Sequence, residues 1–130
     1  MIEFELDDRS GVPTYLQLVH QVRHALRLGL LKPGDQLPTA REVVSRLAIN
    51  PNTVLKAYRE LERDGLVTPR PGQGTFVVRS LAGPDPAGQR RLQRQLARWV
   101  QAARDAGLDG EDLEAMYRAA VRSTLSEGVA

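Results

Sequence analysis

Only Ala48, Ile49 and Asn50 stand between the end of one helix signal and the start of the next in this chain of 130 residues. Upstream, Thr39 followed at the third position by Glu42 makes a capping box, each side chain placed to satisfy a backbone N–H at a helix start. Downstream, Asn50 is an N-cap, Pro51 occupies the first helical position, and Ile49 is spaced to staple against Val54. The spacing predicts a short helix from about Ala40 to Leu47, then another that starts almost at once and is closed by Gly65 after "ELERD". Two helices joined so tightly, the second strongly capped, are the layout of a helix-turn-helix.

The segments on either side complete a domain. Tyr15, Leu18, Val22, Ala25, Leu26 and Gly29 fall on one face of a preceding helix of about four turns, with Thr14 before it and Gly29, Pro33 and Gly34 ending it. "IEFEL" alternates Ile2, Phe4 and Leu6 with acids, the pattern of a short strand. After Gly65, residues 66–68 and 75–79 are strand candidates, with Pro69, Arg70, Pro71, Gly72, Gln73 and Gly74 as the turn between them.

The glycines of "TPRPGQGTFVV" raise the possibility of a phosphate cradle. A dinucleotide fingerprint needs strand, glycine loop and then helix, and a Walker loop needs Gly-Lys-Ser/Thr, whereas here a strand follows and no lysine does. Helix, turn, helix and a hairpin with a basic tip make a winged helix. The expected fold is mainly α with a small β wing: a winged helix-turn-helix domain over residues 1–79, a linker over 80–89 rich in proline and glycine, and a helical dimerisation segment over 90–130.

Composition excludes several classes of function. With 42% hydrophobic and 26% charged residues the chain has apolar content for one small core and a helical annex, not for a roomy catalytic cleft, so no enzyme and no cofactor are expected. It has no cysteine, no export signal and no apolar run of membrane-spanning length, which points to the cytoplasm. His20 and His24 have the i, i+4 spacing of a zinc-binding helix, but Gln21 stands where a zinc protease carries its glutamate and no further histidine exists, so surface histidines and no metal are expected. The net charge of +2 conceals a pattern: acids crowd the start, residues 9–83 hold 11 Lys and Arg against 5 Asp and Glu, and residues 84–130 balance at 7 against 7. A polyanion would be met in the first two thirds.

On the third helix Val54, Ala57, Tyr58 and Leu61 face one way, and Asn52, Lys56, Arg59 and Arg63 project within a narrow sector opposite. Asn52, Thr53 and Lys56 lie at the N-terminal end, where a recognition helix reaches base edges; asparagine suits adenine and lysine suits guanine. Arg59 and Arg63 serve equally well as a solvated face paired with Glu60 and Glu62. Arg41 sits in the first turn of the second helix, where a positive side chain opposes the helix dipole unless an anion compensates, either a phosphate or Glu42 or Glu62. Arg70 and Gln73 at the wing tip are placed for a minor groove or a phosphate, with Gly72 and Gly74 permitting close approach.

The stretch "LPTAREVVSRLAINPNTVLKAYRELERDGLVTPRPGQGTFV" resembles the DNA-binding domain of the GntR family of bacterial transcription regulators over about Pro13 to Val78. The marks are "LPTARE", "NPNTV", "ELERDGLV" and "GQGTFV", in order and correctly spaced. The resemblance implies DNA contacts at Arg41, Asn50, Asn52 and Thr53, with the wing glycine at Gly72. Many members carry arginine just after the "TV" pair, where this chain has Leu55 and then Lys56, so their base preference does not transfer.

The 41 residues after Gln89 are too few for the large effector domain of most relatives and resemble the short YtrA-like branch, whose two C-terminal helices pair two subunits. Physical chemistry agrees, because two amphipathic helices of this size cannot bury their apolar stripes alone. Leu92, Leu96, Trp99, Met116 and Tyr117 are the interface candidates, with Asp109 as cap of the last helix. The expected function is a homodimeric repressor on a palindromic double-stranded operator, which the resemblance places near transporter genes or its own promoter. An unidentified small-molecule effector stays open, and the alternative is a winged-helix protein-interaction module without DNA readout.

Overall fold

Helix α1 (Thr14–Arg27) lies under the helix-turn-helix and buries Leu18, Val19, Val22, Ala25 and Leu26 in a core shared with the third helix. The computed structural model describes residues 1–128 and divides after Pro86 into two units. In the first, α1 is followed by α2 (Ala40–Leu47), α3 (Pro51–Arg63) and an antiparallel hairpin of β1 (Val67–Arg70) and β2 (Gly74–Val77). The second holds α4 (Pro86–Asp105) and α5 (Gly110–Gly128).

The local signals act as their chemistry requires. Both halves of the capping box form at α2: Glu42 N–H donates to Thr39 Oγ1 at 3.2 Å, and Thr39 N–H is directed at Glu42 Oε1. Ala48 ends α2 in the left-handed region at φ 53°, which turns the chain fast enough for α3 to begin at Pro51. Gly65, at φ 74°, closes α3 with a Schellman pair: its N–H donates to Glu62 O at 2.9 Å and that of Leu66 to Leu61 O at 3.0 Å. Arg23 of α1 reaches Asp64 at the same helix end, at 2.6 Å. The Tyr58 hydroxyl donates to Pro38 O at 2.6 Å, tying α3 to the entry of α2, and burial, aided by the Glu42 charge, holds the phenol well above its usual pKa.

Three expectations are corrected. Residues 2–6 are extended and bury Phe4, but they form no strand. Their partner is a pair of glutamines one turn apart on α1: Gln21 Oε1 accepts from Glu5 N–H at 2.9 Å and Gln17 Oε1 from Asp7 N–H at 2.8 Å, and each side-chain amide donates back to the same residue's carbonyl. Side-chain amides thus stand in for a neighbouring strand.

The hairpin is longer towards its tip than expected. Pro69 pairs with Thr75 and Arg70 with Gly74 inside the ladder, while Leu66, Val78 and Arg79 lie outside the strands. Only Pro71, Gly72 and Gln73 remain for the turn, because proline then glycine at φ 74°, with Gln73 N–H donating to Arg70 O at 2.9 Å, suits a type II turn. The expected linker over 80–89 is likewise shortened, since α4 begins at Pro86, a residue tolerated at a helix start because its missing N–H would have no helical partner there.

Candidate nucleic-acid interface

The polar face of α3 is set by its buried one. Val54, Ala57, Tyr58 and Leu61 are in the core, so Asn52, Lys56, Arg59 and Arg63 are turned outward, and all four are exposed. Asn50 spends its side-chain oxygen as the cap, accepting from Asn52 N–H at 2.8 Å, while its carbonyl accepts from Thr53 N–H at 3.0 Å. With Pro51 carrying no N–H, the first turn of α3 offers a phosphate its dipole rather than open donors. The exposed side-chain amide of Asn52 is uncommitted among the described residues, and Thr53 is half-buried beside it.

Lys56 is held in place: its ammonium lies over the Tyr15 ring of α1, 4.0 Å from the centroid, which limits the rotamers of a long flexible side chain. Arg63 pairs with Glu60 at 3.3 Å, whereas Arg59 has no acidic partner among the described residues, so the two arginines that the sequence left equivalent are now separated. Arg41 is exposed at the start of α2 with no ion pair to Glu42 or Glu62 among the described residues.

The wing is braced from outside the hairpin by the segment that leads into α2. Residues 34–37 run along the free edge of β2: Gly34 N–H donates to Val77 O at 2.8 Å, Val77 N–H to Asp35 O at 2.8 Å, and Leu37 N–H to Thr75 O at 2.9 Å. Gln36 then reaches up to the tip, its amide donating to Gln73 O at 2.9 Å. Arg70 stacks on Phe76 across the hairpin, 4.2 Å from the ring centroid, and stays exposed, as do Gly72 and Gln73. The signal for this third rung was "GDQLP", a polar run ending in a buried leucine, too short for a period of two to register.

Gly74 shows what the brace demands. A Cβ there would lie 2.5 Å from Gln36 Nε2, and its φ of +129° suits only glycine. Gly74→Ala is expected to lower stability by about 1–3 kcal/mol, read as a drop in the urea midpoint with the slope unchanged; a wild-type midpoint would mean that the wing tip does not depend on this contact.

Residues 14–77 match the model of the family described as bacterial regulatory proteins, gntR family. The HTH-type transcriptional repressor YtrA of Bacillus subtilis (strain 168) is 36% identical over 110 residues, covering 84% of this chain and 85% of that protein. The chain belongs to the GntR family. It is a DNA-binding transcription regulator of the YtrA-like kind, and not an enzyme. A solved YtrA from Sulfolobus acidocaldarius, a GntR-family transcription factor, superposes with a TM-score of 0.55 at 30% identity over 76% of this chain and 97% of its own. The DNA-binding domain of AraR in complex with operator ORE1 gives a TM-score of 0.50 at 26% identity, over 60% of this chain and 95% of that one. Among the described residues no group of His, Cys, Asp and Glu gathers to hold a metal, and no helix is long and apolar enough to cross a membrane.

Proposed function

We propose that this GntR-family regulator acts in the cytoplasm as a homodimeric repressor on an operator of two-fold symmetry, with half-sites about one helical turn apart. The observation that carries the reading is the outward sector of α3, which presents Asn52 and a tethered Lys56 beside a wing whose tip is braced by Gln36. Asn52, Thr53 and Lys56 are the base-reading residues. Arg41, Arg59, Arg70, Gly72 and Gln73 meet the backbone or the minor groove, and Asn50 acts through the cap that positions Asn52.

Pairing of two copies is supported by the second unit. Leu92 is 65% exposed, Tyr117 54% and Leu125 64%, and α4 and α5 do not pack along each other among the described residues. A small-molecule effector stays open in this reading: a cavity between residues 1–4 and α2 measures about 260 Å³, and one between residues 1–3 and residues 30–36 measures about 600 Å³, within the ~300–1,000 Å³ of ordinary small-molecule pockets.

Footprinting of the protein on the DNA upstream of its own gene, and of adjacent transporter genes, tests operator, symmetry and autoregulation together. Arg41→Ala and Lys56→Ala are each expected to weaken operator binding by about 1–3 kcal/mol in a gel-shift series, with helicity by circular dichroism unchanged. Wild-type affinity in both would remove them from the interface and favour a winged helix used for protein contacts.

A further inference from the structure

Helix α4 is charged in a way that the neutral sum over residues 84–130 hides. It carries Arg90, Arg91, Arg94, Arg98 and Arg104, and its single acid, Asp105, is its last residue and accepts from the Gln101 amide at 2.9 Å. Arg90, Arg94 and Arg98 follow one another at one-turn intervals, with Arg91 beside them, so at 100° per residue the four lie within a sector of about 100°. The apolar residues Leu92, Leu96, Trp99 and Ala103 are centred roughly 160° away. Whatever covers the apolar stripe therefore leaves the arginines facing out. All four are exposed, and none has an acidic partner among the described residues.

We propose that this arginine face is a second DNA-binding surface, which grips duplex phosphates flanking the operator half-sites without reading sequence. The proposal rests on the operator-binding reading above. Charge and spacing support it: Arg90 to Arg98 spans about 12 Å of helix axis, and duplex DNA presents one negative charge per ~1.7 Å of its own axis. Tethering favours DNA over other polyanions. Residues 78–85 connect β2 to α4, and even fully extended they reach roughly 28 Å, so α4 cannot stray far from a wing that sits on a duplex.

The test is the full-length triple variant R90Q/R94Q/R98Q, glutamine being neutral and a good helix former. Binding is measured to two duplexes, the footprinted operator and an unrelated sequence of equal length, over a salt series, with sedimentation as a check on assembly. Each phosphate contact contributes about 0.9 to the slope of log K against log salt, so the slope is expected to become shallower by about 2–3 per protomer engaged. Affinity for both duplexes falls by the same factor, leaving the operator preference intact. An unchanged slope overturns the proposal. So does dissociation of a wild-type dimer by the triple substitution, which would assign the arginines to acids of a second copy, such as Glu111, Asp112 and Glu114. Wild-type protein with no preference for the operator would instead overturn the reading of α3, a result that the two duplexes keep separate from this one.

Discussion

Leu61→Ala is expected to cost about 2–5 kcal/mol of folding stability. Leu61 is fully buried. Its side chain lies on the inner face of α3 two turns after Val54, in the core that α1 and the hairpin share, and its carbonyl accepts the Leu66 N–H that closes the helix. Truncation leaves a cavity that a small three-helix unit has little freedom to fill, and set against a total of about 5–15 kcal/mol for a domain the loss is large. The contrast is Leu55 on the same helix, 39% exposed, where alanine is expected to move stability by no more than about 0.5 kcal/mol. Urea denaturation of the two variants side by side checks both. A Leu61→Ala loss below about 1 kcal/mol, or a Leu55→Ala loss as large, would mean that the inward and outward faces of α3 have been misassigned, and with them the DNA-facing sector.

The helix-turn-helix was legible because its information is local. Thr39 with Glu42, Asn50 with Pro51, and Gly65 each satisfy orphan backbone groups within a few residues, so no knowledge of distant contacts is needed. The wing was legible in kind but not in register, since the sequence does not say whether Pro69 and Gly74 turn the chain or sit in the ladder; that is decided by the Pro71-Gly72 turn and by the strand-like pairing of residues 34–37 on the other side. Two features escaped because they are long-range. The alternation of Ile2, Phe4 and Leu6 is real, yet its hydrogen bonds come from Gln17 and Gln21, polar residues that read as ordinary surface. The cation over Tyr15 needed the crossing of α1 and α3 to be known. The arginine face of α4 was hidden by summation, because acids of the α5 segment cancelled it in the count.

Leu96→Gln combined with Trp99→Gln is expected to turn a dimer into a monomer and to lower operator affinity by about 10²–10⁴-fold, the factor by which linking two binding modules exceeds one alone. Leu96 is 50% exposed and Trp99 half-buried on the apolar stripe of α4, where Ala103 alone is fully covered. Glutamine removes apolar contact without adding charge beside Arg94 and Arg98 and without breaking the helix, so a fall in affinity reports lost pairing rather than altered attraction to phosphate. Because the first unit has its own core, its unfolding midpoint should hold while sedimentation falls to one chain and the footprint shrinks to a half-site. A variant that still sediments as wild type, or a monomer that binds the whole operator as tightly, would mean that two-fold symmetry is not what brings this regulator to DNA.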